Sequence, residues 1–274
     1  MKNLPAKIGL ILLFILMFIP LYWMLMGSFQ DIYGVMKMPP NIIPKSVTLQ
    51  NYVYLLKEDA VKWLLNTIIV VGGTVVISVL LSITAGYAFG IYKFKGGKLL
   101  WTAYLSQLMI PRISLIIPLF VIIKKLGISG KLSAVIIPVA FSPMGIYLAT
   151  NYFKSIPRSI MESARIDGAS EMQVLRYIVA PISKPILSAL ALFSGIGALQ
   201  DYLWQMLVLQ KPERRTLLVG LMRKVMERGG IGELGVNPVG RSFAVGILLF
   251  FPLLLIFLVA NKFFVESLGG SVKE

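Results

Sequence analysis

The chain has 274 residues, of which 57% are hydrophobic and 14% are charged, whereas soluble globular proteins have about 45–50% and about 25%. Its formal net charge is +15, which in so apolar a chain indicates contact with anionic lipid headgroups rather than with nucleic acid. Cysteine and histidine are absent, which excludes disulfides, thiolate metal sites and a histidine base. We therefore predict that the chain is not an enzyme and binds no metal.

The apolar residues fall in long runs, and a helix of about 20 residues crosses the hydrocarbon layer of a membrane. The first run is too long for a signal peptide and is followed by bulky residues rather than a small-residue cleavage site, so we expect it to be retained. We predict an all-α integral membrane protein, a single domain over residues 1–274, with a polar loop at 153–185. The six predicted spans are 8–29, 63–91, 99–123, 132–152, 186–209 and 242–263.

Prolines and glycines within these runs predict irregular helices. A proline removes one backbone hydrogen bond, so the third, fourth and sixth spans must bend or be satisfied by neighbours. These prolines are Pro111, Pro118, Pro138, Pro143 and Pro252. Gly86 and Gly90 form a G-x-x-x-G pattern in the second span, which predicts close packing of one helix against another.

The orientation of the chain does not follow from its charges. With the amino terminus inside, twelve Lys and Arg residues fall in the inner segments and fourteen in the outer ones. The rule that inner loops carry the excess of positive charge is weakest for longer loops. Counting charges therefore leaves both topologies open.

A polar hairpin between the fourth and fifth spans is the most informative stretch. Ser159 or Ser163 can cap its first helix, Glu162 and Asp167 are acids near that helix, and Gly168 permits a tight turn. We expect residues 169–179 to continue as a helix until Pro181. From the residues alone, an ordinary amphipathic connection and a surface for a partner protein are both open.

The spacing within this hairpin resembles the EAA signature of binding-protein-dependent ABC importer permeases. The closest resemblance is to the carbohydrate-uptake group typified by the second permease of the maltose transporter. Ser163 stands where the signature has Ala, and Ala180 stands where it has Leu. The matching positions are Glu162, Ala164, Asp167, Gly168, Ala169, Ile178, Pro181 and Pro185.

This resemblance implies the type I transmembrane fold of ABC importers, with a cytoplasmic hairpin that docks in a cleft of the ATPase subunit. It places both chain ends in the cytoplasm and the chain in the plasma membrane of a prokaryote. The implied partners are a second homologous permease, two ATP-binding subunits, an extracytoplasmic solute-binding protein and membrane lipid, but no nucleic acid. The implied ATPase-coupling residues are Glu162, Ser163, Ala164, Asp167, Gly168, Ala169, Ile178 and Pro181.

No stretch matches the G-x-x-x-x-G-K-[ST] phosphate-binding loop. We therefore expect no cofactor on this chain, and ATP and Mg on the partner ATPase subunits instead. We predict a permease subunit that translocates a sugar or oligosaccharide. One alternative is the same machinery for a non-sugar or anionic solute, such as a glycerophosphodiester or an acidic oligosaccharide. A more remote alternative is a secondary transporter or channel.

Two further sets of residues are candidates for function. Asp201 is the acid closest to an apolar run and Arg112 the base inside one, and an ionisable residue in a span is a functional candidate because it is costly. The alternative is that Asp201 lies at the headgroup level and that Arg112 pairs or snorkels. The candidates for the translocation path or its gate are Gln200, Asp201, Tyr202 and Trp204, and those for docking of the binding protein are Arg214, Arg215, Arg223 and Lys224.

Overall fold

The computed structural model describes residues 4–37, 43–56, 59–227 and 237–269, with side chains placed for 7–37, 43–56, 59–226 and 237–258. Throughout these ranges the regular structure is helical and no strand occurs, which confirms the all-α prediction. The α-helices are α1 Leu4–Ser28, α2 Ile32–Val35, α3 Gln50–Leu56, α4 Ala60–Ile91, α5 Gly97–Ser106, α6 Arg112–Lys125, α7 Ser133–Ala140, α8 Pro143–Ser155, α9 Arg158–Ile166, α10 Glu171–Gln173, α11 Ala180–Ile182, α12 Lys184–Gln200, α13 Tyr202–Val208, α14 Leu217–Glu227 and α15 Pro238–Gly269.

Three stretches are long and apolar enough to cross a membrane as single helices, namely Lys7–Ser28, Ala60–Ile91 and Pro238–Leu258. Three pairs of helices meet the same criteria together but are bent at a short break. They are Gly97–Met109 with Arg112–Lys125, Ser133–Ala140 with Pro143–Ser155, and Glu171–Ile182 with Lys184–Gln200. If each bent pair is one span, the described residues contain six spans, the number that the sequence predicts. The bounds of the fifth differ, because the bent pair covers 171–200 and so includes the second arm of the polar hairpin, whereas the prediction is 186–209.

The bends occur at some of the predicted prolines but not at all of them. The first pair bends by 109° around Pro111 and the second by 42° just before Pro143. Pro118, Pro138 and Pro252 lie inside continuous helices. The third pair bends by 80° at Ser183, a position that the sequence analysis did not single out.

The chain divides into two compact units, of which the first comprises Met1–Leu64 and Leu217–Pro252. The apolar stripe of α14 faces the interior of this unit, as its helical spacing predicts. The cluster that it joins consists of Leu55, Trp63, Leu217, Leu221, Val225, Ala244 and Val245.

Two buried asparagines organise the polar interior of the first unit. The Asn51 Nδ2 group donates to the carbonyls of Ser28 and Gln30 at 2.9 and 3.0 Å. The Asn237 Nδ2 group donates to the same Gln30 carbonyl at 2.8 Å, and its Oδ1 accepts from Gly240 N–H at 2.9 Å. Asn237 thus caps the start of α15 and ties that helix to the segment after α1.

The second unit comprises Leu65–Thr216 and Leu253–Glu274, and a stripe of small residues on α4 lets its helices approach closely. A methyl group added at Gly86 would lie 2.7 Å from the Cβ of Ala149, and one at Gly90 would lie 3.0 Å from the Thr150 carbonyl. The two glycines therefore have the packing role that their spacing predicts, against α8. The stripe runs at every fourth residue through Thr74, Ser78, Ser82, Gly86 and Gly90.

We expect Gly86→Ala to destabilise the chain. The added methyl group meets the side chain of Ala149 and the backbone near Thr150, so the two helices must separate, at a cost of about 1–3 kcal/mol. Gly72→Ala is the matched control. Gly72 lies on the same helix as Gly86, and a methyl group added at Gly72 has no neighbouring atom within 4 Å. Thermal unfolding in detergent checks the prediction, and equal midpoints for the two variants would contradict it.

Candidate functional site: a capped hairpin and an ion pair between two helix breaks

The first arm of the hairpin is α9, which ends at a glycine with a left-handed backbone. Gly168 has φ of 84°, a conformation that costs other residues roughly 1–2 kcal/mol. The Gly168 N–H donates to the Arg165 carbonyl at 3.1 Å, and the Ala169 N–H donates to the Ala164 carbonyl at 2.9 Å. These two bonds form a Schellman motif, so the predicted turn at Gly168 is present.

The second arm starts at Ser170, whose Oγ accepts from Gln173 N–H while the Gln173 side chain accepts from Ser170 N–H, a capping box. The helix then widens into a π-helical segment over Val174–Val179. Ala180 N–H bonds to the Leu175 carbonyl five residues earlier. The helix therefore continues through Pro181 to Ile182, whereas the sequence predicted that it would end at Pro181.

Buried apolar side chains seat both arms of the hairpin. Met161 on α9 is 1% exposed, and Val174 and Val179 on the second arm are fully buried. They join one apolar cluster with Tyr87 of α4 and Phe153 of α8. The hairpin therefore packs against the helices of the second unit through its buried apolar side.

The exposed side chains of the hairpin are large and apolar, acidic or basic, and the basic Arg176 guanidinium lies 5.5 Å from the centre of the Tyr177 ring. Ile166, Met172 and Tyr177 are 86%, 68% and 66% exposed, and Glu162 and Asp167 are exposed as well. Among the other predicted coupling residues, Ser163, Gly168 and Pro181 are exposed and Ala164, Ala169 and Ile178 are half-buried. We define the docking face as the set Glu162, Ile166, Asp167, Met172 and Tyr177.

An acid that the sequence analysis missed lies at the centre of a hydrogen-bond network. Arg165 donates to the Glu171 carboxylate from Nε to Oε1 at 2.8 Å and from Nη2 to Oε2 at 3.2 Å. The hydroxyls of Tyr87 and Tyr92 also donate to Oε2, the first of them at 2.9 Å. The Arg165 guanidinium, with Tyr92, lowers the pKa of Glu171 to about 2, so the carboxylate is charged at neutral pH.

Arg112 and Asp201 form an ion pair, with 2.6 Å between Arg112 Nη2 and Asp201 Oδ2. Arg112 is the first residue of α6, directly after the 109° bend, and Asp201 separates α12 from α13. The Asp201 side chain is 11% exposed and the Arg112 side chain 61%. Of the alternatives left open for Arg112, the structure selects pairing, and its partner is the other ionisable candidate.

Trp204 and Gln205 donate to backbone carbonyls at two irregular positions, the first beside Pro138 inside α7 and the second beside the break at Asp201. Pro138 has no N–H to offer the Ala134 carbonyl, and the Trp204 indole donates to that carbonyl at 3.1 Å. The Gln205 Nε2 group donates at 2.6 Å to the Ala198 carbonyl, close to the break at Asp201. Trp204 is 2% exposed, so within this chain it offers no surface to a passing solute. The other path candidates differ, since Gln200 is exposed and Tyr202 half-buried.

The four basic candidates for docking of the binding protein differ in their exposure to solvent. Arg214 is exposed, whereas Arg215, Arg223 and Lys224 are half-buried. The Lys224 ammonium group lies 5.3 Å from the centre of the Trp63 ring, a cation–π contact.

In the described part of the chain no group of three acids lies close enough to hold a metal ion.

These features define a polytopic membrane subunit that presents a capped hairpin, and comparison with known proteins gives its family. Residues 78–269 match the family model described as binding-protein-dependent transport system inner membrane component. The match covers more than half of the chain. The chain belongs to this family and is a membrane-embedded transport permease.

Three curated relatives align over nearly the whole chain. The galactooligosaccharides transport system permease protein GanQ of Bacillus subtilis is 35% identical over 92% of this chain and 89% of its own length. The trehalose/maltose transport system permease protein MalG of Thermococcus litoralis is 31% identical over 100% and 98%. The arabinooligosaccharides transport system permease protein AraQ of Bacillus subtilis is 28% identical over 96% and 92%.

One solved structure shares the fold. It is the crystal structure of a bacterial ABC transporter involved in the import of the acidic polysaccharide alginate, with a TM-score of 0.80 at 22% identity over 96% of this chain and 97% of that chain. The predicted fold of ABC importer permeases is thereby confirmed.

We expect Gly168→Val to loosen the hairpin and Gly168→Asn to preserve it. Valine is strained at φ of 84°, whereas asparagine tolerates a left-handed backbone. The strain of about 1–2 kcal/mol should speed amide exchange at Ala169 about 5- to 30-fold in the valine variant. Hydrogen exchange read by mass spectrometry measures this, and equal protection in the two variants would refute the assigned turn.

We expect Asp201→Ala to lower solute uptake while the complex still assembles, because it leaves the Arg112 charge unpaired in a span. The exchange of both residues, Arg112→Asp with Asp201→Arg, should restore part of the uptake. Asp59→Ala is the matched control, since it removes a carboxylate from another ion pair, 2.9 Å long, between Asp59 just before α4 and Lys62 in the first turn of α4. Wild-type uptake by the Asp201 variant would remove the pair from the functional site.

Proposed function

We propose that the chain is one of two permease subunits of an ATP-driven importer for a disaccharide or oligosaccharide, and that an extracytoplasmic solute-binding protein delivers the sugar. Two partner ATPase subunits bind ATP and Mg, so this chain itself has no enzymatic activity. The hairpin faces the cytoplasm, as do both chain ends. The chain acts as a single permease domain in the plasma membrane of a prokaryote.

The names of the three relatives support a sugar as the solute. They are transport permeases for galactooligosaccharides, trehalose or maltose, and arabinooligosaccharides. These sugars differ in their units and linkages but are all neutral carbohydrates of two or more units. The shared chemistry favours a neutral sugar of that size over other solutes.

The docking face is the observation that carries the coupling role. Three large apolar side chains are exposed on a short hairpin whose other side is firmly buried. Exposed apolar surface rimmed by polar groups is characteristic of protein–protein contacts, and the motif glutamate, Glu162, lies at its edge. A partner that grips this face can move the hairpin as one body.

An anionic solute is less well supported. Arg112 is a basic residue in a span and so favours an anionic solute, but its charge is balanced by Asp201 at 2.6 Å. A paired site offers hydroxyl groups both donors and acceptors without excess charge. The ion pair therefore agrees better with a neutral sugar than with a glycerophosphodiester or an acidic oligosaccharide.

The binding protein is proposed to dock near the connection that follows α13. Arg214 is exposed there and is the strongest of the four basic candidates, since Arg215, Arg223 and Lys224 are half-buried. Basic side chains at the rim of an interface speed association with an acidic partner in a salt-dependent way.

We expect Glu162→Lys to lose the ATPase subunits or to uncouple ATP hydrolysis from uptake. The lysine replaces an acid on the docking face and repels whatever basic group of the ATPase contacts it. The complex is purified through a tag on this chain and reconstituted. ATPase content, ATP hydrolysis and uptake of radiolabelled maltose, trehalose, a galactooligosaccharide and an arabinooligosaccharide are then measured.

Glu213→Lys is the matched control, because it makes the same charge change at an exposed glutamate outside the hairpin. It should retain the ATPase subunits and their ATP hydrolysis; sugar import is not the readout of this control, because Glu213 adjoins Arg214 of the proposed binding-protein site. A wild-type complex that contains no ATPase and imports solute on an ion gradient would instead establish a secondary transporter. Normal coupling in the Glu162 variant would reject the docking face.

A further inference from the structure

The Glu171 network joins three separate elements at one carboxylate. Arg165 comes from α9, Glu171 begins α10, and Tyr87 and Tyr92 come from the end of α4 and the residue after it. The rings of the two tyrosines meet edge to face, with centroids 5.5 Å apart at 84°. Both arms of the hairpin are thus bonded to the end of the longest described helix of the second unit.

The ion pair of this network contributes little to stability. The side chains of Arg165 and Glu171 are 34% and 49% exposed, and an exposed ion pair contributes about 0–1 kcal/mol. The buried apolar cluster under the hairpin contributes more, since burying a single large apolar side chain is worth about 1.5–3 kcal/mol. Stability therefore comes from the cluster.

The network fixes the orientation of the hairpin relative to α4. Apolar contacts hold two elements together but permit sliding and rotation, because the hydrophobic effect is non-directional. A carboxylate that accepts two bonds from one guanidinium and two from separate hydroxyls is fixed in both position and orientation. Among the contacts between the hairpin and α4, this one specifies an angle.

A second glutamate on the same hairpin provides the contrast. Glu162 lies nine residues before Glu171 and is exposed. Within the described residues its side chain makes no hydrogen bond or ion pair, whereas the Glu171 carboxylate accepts four bonds. One acid is available to a partner and the other is engaged inside the subunit.

We propose that Glu171 is the positioning residue through which a movement of the hairpin is passed to α4. The inference rests on the proposed function, in which an ATPase subunit grips the docking face. Force then enters at the exposed side chains of the hairpin and leaves through Arg165, Glu171, Tyr87 and Tyr92. Without the network the hairpin stays seated on its apolar cluster, but its rotation no longer turns α4.

The test compares Glu171→Gln with Glu162→Gln in the reconstituted complex, using the sugar that the wild type imports from the panel of four. Glutamine keeps the shape of the side chain and removes its charge. For Glu171→Gln we expect the ATPase subunits to be retained and ATP hydrolysis to continue, while the sugar imported per ATP falls several-fold. For Glu162→Gln we expect the ATPase content of the purified complex to fall.

A second variant keeps the test independent of the carboxylate. Tyr87→Phe with Tyr92→Phe removes the two hydroxyl donors and keeps both rings and the pair of Arg165 and Glu171. It should reproduce the low ratio of sugar to ATP, and Glu171→Asp should restore part of the wild-type ratio.

The outcomes separate this inference from the proposed function. An unchanged ratio of sugar to ATP in both the Glu171→Gln and the double tyrosine variants would overturn the role of Glu171. Loss of the ATPase subunits from Glu171→Gln would also overturn it and would place Glu171 on the docking face. A different result would contradict the proposed function, namely normal coupling of ATP hydrolysis to uptake in the Glu162 variants.

Discussion

Every backbone N–H and C=O group in an apolar environment must have a hydrogen-bond partner, and the described spans depend on how this requirement is met at their prolines and breaks. An unpaired group in hydrocarbon costs several kcal/mol. The carbonyl that Pro138 leaves open receives the Trp204 indole, and the Ala198 carbonyl receives the Gln205 amide. Side chains of α13 thus donate to a carbonyl beside a proline in α7 and to another near the break at Asp201.

The same requirement places charged groups at the breaks. Arg112 opens the helix after one bend and Asp201 separates two others, and each removes the cost of the other's unpaired charge. This pair of charged side chains therefore lies where the helices are discontinuous. The proposed translocation path uses the same pair.

Much of this architecture could be predicted from the sequence. Run length and apolarity predict the spans, because the thickness of the membrane sets both, and the turn at Gly168 follows from glycine's access to a left-handed backbone. The packing role of Gly86 and Gly90 follows from their spacing on one helix face. These features depend on residues close together in the chain.

The features that could not be predicted depend on residues far apart. Arg112 and Asp201 are 89 positions apart, and Tyr87 is 84 positions from Glu171, so no local pattern pairs them. Pro181 appeared to end its helix because an α-helical bond to its nitrogen is impossible. The π-helical segment before it shifts the bonding by one residue and carries the helix past it.

The hairpin combines two kinds of contact that mechanical transmission requires. A joint must survive the motion that it transmits, and the apolar cluster under Met161, Val174 and Val179 gives it that strength. A joint must also fix an angle, which apolar contacts do not, and the bonds to Glu171 do so at a small cost in energy. ATP binding in the proposed partner supplies the free energy, so this subunit has only to keep the hairpin and α4 in one orientation. An exposed pair worth about 0–1 kcal/mol is sufficient for that task, because it selects among orientations that the cluster already holds together.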